Sequence, residues 1–488
     1  MKKISVLLLT VMLLSMVLGV VTYGEESKEQ LIIRSTDWMS ALPDGIKITD
    51  LNIPGVHDAA MAHSTAVAAS GYTLTQKYYI GNTTYEVKSL FGSNKVVTEP
   101  GLLEQGVRYF DIRLDYEDYD PTDEDDVYER NNYLNNFSED QRPLKLMEFA
   151  GEHLVLCHGV YNARYLVGSY YEWNDWEDIT NLKLMQWIKV FLDKHPDETI
   201  ILDISAEDED KSDKENIASI AYDFFNTLAT YGGYGVFPEI YVGDHVPTLG
   251  ECRGKMVILT DMPYQYDDYT VSDPVTGAKR GHWAFMNGYS EGDAVKMDFR
   301  VAKTDTYMKS KVYKNNRYNG IPKETKWTYV KNGLDHADKF RVEAQQEGYD
   351  AFMLLYCSEN RVLKGGPRPF AEYINPLVND YIINQQEYQY YGIIVIDFAN
   401  DESVLKDDIV TNIFATNFQK DYAEYETVKG SYTFSSYTLQ PVNSALATAS
   451  VIGEGNPVII VGTVILLGVI VAVILIGKKK KQKAHGAK

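Results

Sequence analysis

At 488 residues the chain has room for one large domain or two ordinary ones, each with a full hydrophobic core. Acidic residues outnumber basic ones by 69 to 47, a formal charge of −22, which argues against a phosphate-backbone partner such as DNA or RNA. Three cysteines, Cys157, Cys252 and Cys357, stand outside any CxxC or Cys/His spacing and exclude a disulfide scaffold.

Residues 1–24 read as a secretory signal: Lys2 and Lys3, an apolar run over 4–21, then the small residues Thr22 and Gly24. Eight short apolar runs follow, at 46–53, 107–114, 153–157, 199–204, 255–259, 328–330, 351–356 and 392–396. Most are bounded by turn residues, as buried strands are. Between them apolar residues recur at helical spacing, as in Leu182, Met185, Ile188 and Leu192, or Ile217, Ile220, Ala221, Phe224 and Leu228. Strands alternating with one-faced helices predict an α/β fold, and eight strands predict an irregular TIM-like (β/α) barrel over residues 25–424. Segments 66–100, 116–148 and 264–326, rich in Tyr, Asp, Asn and Gly, read as insertions without a core of their own. Residues 425–456, rich in Ser, Thr, Ala and Gly, read as a flexible stalk. The uncharged apolar stretch 457–477 is long enough to span a bilayer as a helix. The lysines that open the tail 478–488 mark its cytoplasmic side. The expected protein is a monomer on the cell membrane, single-pass, with its barrel outside.

The unusual polar residues fall at strand ends. His57 and Asp58 follow the first strand, Asp111 and Arg113 end the second, and His158 follows the third. Asp203 and Ser205 end the fourth, Asp261 the fifth, and Asp397 the eighth. Asp111 and Arg113 are two apart and so share one side of their strand. Each residue alone has a bland explanation, such as a satisfied histidine or a structural ion pair. In a barrel, however, all the carboxyl ends converge on one mouth. Two imidazoles there can exchange protons with an attacking hydroxyl and a leaving oxygen. A guanidinium suits the charge spread over a phosphate in transit. That constellation suits cleavage of a phosphodiester, and such a reaction would need no metal and no other cofactor.

At these residues the chain resembles the bacterial phosphatidylinositol-specific phospholipase C family of X-domain type. The matching pieces are IPGVHDAA (53–60), GVRYFDIRL (106–114), LVLCHG (154–159), HPDETIILDIS (195–205), RGKMVILTD (253–261), GGPRPFAEYINP (365–376) and GIIVIDFAN (392–400). The resemblance implies a general base at His57 oriented by Asp397, and a general acid at His158 supported by Asp58. Arg113 would hold the phosphate and Asp111 would position its neighbours. The implied partner is an inositol phospholipid or a glycosylated inositol lipid, and the implied product is a cyclic inositol phosphate. Calcium-dependent relatives carry an acid where Arg113 stands, so the resemblance implies a calcium-independent enzyme. Two positions depart from the family, which has a lysine at Ser205 and an arginine at Asp261; both line its inositol pocket. These losses disfavour a phosphorylated ring. Tyr356 is the candidate for the family's ring-stacking tyrosine. Two other readings stay open. One is a metal-dependent glycerophosphodiesterase using Asp111, Asp203 and Glu207, and the other is a non-catalytic surface protein that binds inositol glycolipid.

Overall fold

A computed structural model of the chain describes residues 31–62, 74–88, 94–99 and most of 101–420, together with the strand Tyr432–Ser435. The expected signal segment 1–24, membrane span 457–477 and tail 478–488 lie outside the described residues, as does most of the expected stalk. Among the described residues no helix is long and apolar enough to cross a membrane.

Eight parallel strands form the frame: β1 (Ile53–Val56), β2 (Tyr109–Tyr116), β3 (Ile200–Ala206), β4 (Lys255–Thr260), β5 (Ala284–Met286), β6 (Ser310–Asn315), β7 (Asp350–Tyr356) and β8 (Ile393–Ile396). Each pairs with its neighbour in chain order, and β8 pairs back onto β1. One link is absent: among the described residues no ladder joins β5 to β6. The hydrogen-bonded ring is therefore open at one seam. The sheet curls round nonetheless, because Phe285 on β5 and Phe352 on β7, six steps apart along the ladder, bring their ring centroids within 5.3 Å. The strands are almost wholly buried, as parallel strands covered by helices must be. The helices outside the sheet include α1 (Arg142–His153), α2 (Asn181–Lys194), α3 (Lys211–Thr230), α4 (Lys323–Gln346), α5 (Arg368–Ile383) and α6 (Ile409–Ala415).

Four sequence expectations are corrected. Residues 328–330 are not a strand but lie in α4, where Val330, Leu334, Ala337, Phe340 and Ala344 bury one helical face. The apolar period of 24 residues outweighs a three-residue run of β-formers. The first stave is Ile53–Val56 rather than 46–53, because Ile48–Asp50 takes a short 3-10 turn. The segment 264–326 is no insertion, since it supplies both β5 and β6. Their apolar runs are too short, or too interrupted by Lys311, Lys314 and Asn315, to stand out in the sequence. Finally, 153–157 is not a barrel stave: the strand Leu154–His158 runs antiparallel to β2.

The amino-terminal segment plugs the end of the barrel away from the mouth. Met39 and Ser40 donate backbone N–H groups to Glu198, just ahead of β3, and the Trp38 indole donates to the Gly106 carbonyl, just ahead of β2. Arg108 meets Glu198 at 2.7 Å with both side chains fully buried, and it also donates to the carbonyls of Ser35 and Thr36. Strand Leu31–Arg34 pairs in parallel with Tyr432–Ser435, so four residues of the expected stalk are ordered β structure beside this end.

A buried pair is costly to break from one side, because the survivor keeps an uncompensated charge. Glu198→Ala should lower the unfolding free energy by about 3–5 kcal/mol in urea denaturation. Asp193→Ala, which removes an exposed helical pair with Lys189, should cost only about 0.5 kcal/mol.

Candidate active site

The mouth is assembled from the carboxyl ends of β1, β2, β3 and β8. Gly55 lies on β1 because the Tyr109 ring leaves no room for a side chain; a Cβ there would sit 2.7 Å from Tyr109 Cδ1. After Val56 the chain turns sharply. Asp58 has a left-handed φ of 42°, and the Ala59 N–H donates to the Asp111 carbonyl at 2.9 Å. Gln76, from a segment with no motif of its own, donates to the carbonyls of His57 and Ile396 and ties the end of β1 to that of β8.

The antiparallel strand Leu154–His158 explains how His158 arrives. One edge of β2 is taken by β3, and β1 covers only Tyr109 and Phe110 on the other. Where β1 stops, Leu154–Leu156 pairs with Leu114–Tyr116 and runs back toward the end of β1. This brings His158 down onto Asp58.

Asp58 is the hub. Its carboxylate is fully buried and lies 2.6 Å from Arg113 Nε, 3.3 Å from His158 Nε2 and 3.5 Å from His57 Nε2. On its other side the His57 ring meets Asp397 through Nδ1 at 3.0 Å. Asp397 is held in turn by Asn375, which donates to its backbone carbonyl at 2.7 Å. Arg113 spreads its remaining nitrogens over Glu207 at 2.8 Å, His57 Nε2 at 3.1 Å and Asp111 at 3.9 Å. His57, Arg113 and His158 remain partly exposed, while Asp58 and Asp397 lie behind them.

Burial alone would lower the basicity of His57, but the carboxylates of Asp58 and Asp397 outweigh it and raise the imidazole to about 9. Burial also pushes Asp58 toward its neutral form, yet Arg113, His57 and His158 overcome it and hold this carboxyl below its usual range. Asp111 goes the other way. Burial raises it to about 6, with Asp58 and Asp203 adding repulsion and Arg113 and His57 only partly compensating.

The pocket expectations fare differently. Ser205 lies on β3 in register with Arg113 and half-buried at the site. Asp261, directly after β4, is exposed. Tyr356 is buried, with its ring edge-on to His57 at 6.1 Å and its hydroxyl 3.0 Å from that of Tyr109, so it offers little open face for stacking. Of the acids considered for metal binding, Glu207 is spent on Arg113 and Asp203 on Tyr109, Asn287 and Lys314. The one cluster with ligand atoms close enough to share a cation is His57, Asp58 and Asp111, within 4.8 Å of one another among the described residues. The Arg113 guanidinium already lies within 4 Å of all three, at 2.6 Å from Asp58, 3.1 Å from His57 and 3.9 Å from Asp111. The roles of Gln76 and Asn375 were not read from the sequence. Glu207 as the anchor of Arg113 was signalled only by its spacing of two from Ser205 and four from Asp203.

The His57 ring should titrate at about 9 when followed by NMR. Asp397→Asn removes a charge and a hydrogen bond that favour the imidazolium, so the midpoint should move to lower pH; an unmoved midpoint would contradict the assigned contact.

No family model matches the chain. Among curated proteins it is 21% identical over 390 residues to a 1-phosphatidylinositol phosphodiesterase of Listeria monocytogenes, covering 78% of this chain and 86% of that protein. The corresponding protein of Staphylococcus aureus strain Newman is 21% identical over 402 residues, covering 81% and 98%. A PI-PLC X domain-containing protein 3 of Danio rerio is 30% identical over 100 residues, 19% of this chain and 31% of that one. Among solved structures, a phosphatidylinositol-specific phospholipase C from Staphylococcus aureus superposes with a TM-score of 0.52 at 19% identity, covering 78% and 97% of the two chains. A second structure of that enzyme gives 0.51 at 20%, covering 78% and 97%. In sequence the chain resembles the bacterial phosphatidylinositol-specific phospholipases C, and it shares their mixed α/β, TIM-like barrel fold.

Proposed function

We propose that this protein is a phosphodiesterase that cleaves phosphatidylinositol, or a glycosylated form of it, to diacylglycerol and inositol 1,2-cyclic phosphate, without a metal. One observation carries the reading: two imidazoles, each on its own buried carboxylate, flank a guanidinium at the mouth of the barrel. The inositol 2-hydroxyl attacks phosphorus and passes its proton to Nε2 of His57 in its neutral form, which gains population as pH rises toward 9, once the Arg113 nitrogen 3.1 Å away turns from that atom. The bond from phosphorus to the glycerol oxygen breaks, and that oxygen takes a proton from His158. Arg113 faces the non-bridging oxygens, where charge gathers in the transition state. Phosphate contact requires Arg113 to share a nitrogen now held by Glu207 or Asp111. A second reading, metal-assisted diester hydrolysis, is favoured by the His57–Asp58–Asp111 cluster alone. The sequence pattern of the two ends supports a further part of the proposal, that the enzyme is exported and tethered at a cell membrane.

The full chain in detergent micelles, assayed on phosphatidylinositol by phosphorus NMR, separates these readings. A cyclic product formed in the presence of chelator supports the two-imidazole mechanism. A non-cyclic product that needs metal supports the second reading. Binding of the lipid without turnover would leave a glycolipid-binding protein. In the first case His57→Ala and His158→Ala should each lower kcat by about 10²–10⁴-fold. A substrate with a good leaving group should rescue His158→Ala and not His57→Ala, because only the leaving oxygen is relieved of its need for a proton. Arg113→Lys should cost about 100-fold, since an ammonium cannot present two parallel donors; near-normal turnover would show that Arg113 does not hold the phosphate.

A further inference from the structure

The seam between β5 and β6 is the one place among the described residues where the barrel's backbone ladder is unmade. Both flanking strands nevertheless reach the same atom group. Asn287, the residue after β5, donates its amide to Asp203 Oδ1. Lys314, on β6, places its ammonium 3.3 Å from Asp203 Oδ2. Asp203 belongs to β3, across the barrel interior. It also accepts from the Tyr109 hydroxyl at 2.6 Å, and that hydroxyl lies 3.0 Å from the hydroxyl of Tyr356. The ring of Tyr356 stands edge-on to His57. All five side chains are buried, with Asn287 and Tyr109 at 0% exposure and Lys314 at 7%. A buried carboxylate and ammonium persist only when their polar atoms are satisfied, and losing one partner leaves the other uncompensated.

We propose that Asp203 is a positioning residue, whose carboxylate closes the β5–β6 seam through Asn287 and Lys314 and, through the Tyr109 hydroxyl, sets Tyr356 against His57. Barrel closure and the orientation of the base thus share one carboxylate. Side-chain contacts replace the missing ladder, so the seam depends on Asp203 in a way that no other pair of neighbouring staves does. The link to catalysis rests on the phosphodiesterase reading; the link to His57 geometry does not.

The test uses the full chain and three variants. Asp203→Asn keeps one acceptor and removes the charge. Asp203→Asn with Lys314→Met keeps the interior neutral, so a folded protein remains even if the single variant fails to fold. Tyr109→Phe leaves the seam contacts in place and cuts the hydroxyl link. Hydrogen exchange followed by mass spectrometry should show the amides of β5 and β6 exchanging about tenfold faster in the double variant, with β1 and β2 unchanged. Tyr109→Phe should leave exchange at the seam as in the parent but shift the His57 ring resonances, which report the placement of the Tyr356 ring. Unchanged exchange in the double variant overturns the seam role, and unmoved His57 resonances in Tyr109→Phe overturn the positioning role. Turnover is read separately. Tyr109→Phe should lower kcat about tenfold with KM little changed, as misplacement of a reacting group does. A parent protein that leaves phosphatidylinositol intact defeats the phosphodiesterase reading, while exchange and ring resonances still decide the role of Asp203.

Discussion

Everything at the mouth is arranged around one buried carboxylate. Asp58 has no access to water, and it stays ionised because Arg113, His158 and His57 all press on it. The converse also holds. Four carboxyl groups, Asp58, Asp111, Asp397 and Glu207, converge on one guanidinium and two imidazoles. With both imidazoles neutral the cluster would be strongly negative and hostile to a phosphate. The field of the acids therefore holds a proton on His57, and burial drives Asp111 toward its neutral form. Charge balance, more than any single hydrogen bond, sets the resting protonation of the site.

The geometry that makes this balance possible comes from where strands stop. β1 ends after four residues, and its short reach leaves the upper edge of β2 open. The strand carrying His158 fills that edge from the opposite direction. A longer β1 would have put His57 on a different level and shut His158 out. At the far end of the barrel, Arg108, Glu198 and the segment around Trp38 make a dense plug of hydrogen bonds. Polar networks thus occupy both ends, with the plug keeping the frame rigid beneath a mouth that must part some of its own ion pairs to admit a substrate.

Asp203 belongs to neither end. It lies in register with Asp111 on the neighbouring strand, yet its contacts face across the barrel toward β5 and β6. Asp203 and Ser205 on β3, and Glu207 just after it, are spaced by two and so share one face, the first holding the interior together and the other two reaching the mouth.

How far all this was legible differs from residue to residue. The alternation of buried runs with one-faced helices, the strand-end placement of His57, Asp58, Asp111, Arg113 and Asp397, and the resemblance they carry are local properties of the chain. Residue period and turn chemistry express them directly. The sequence by itself therefore determined the α/β class and brought the polar residues to one mouth. It did not distinguish a stave from a strand running the other way, because direction depends on which edge of β2 is free. Nor did it reveal β5 and β6, whose short or polar runs become strands only when neighbouring strands and α4 bury them. The partnership of Arg113 with Glu207, the clamp by Gln76 and the closing of the seam by Asp203 join residues tens to hundreds of positions apart. Such contacts rest on packing and charge compensation in the folded barrel, and only the tertiary structure decided them.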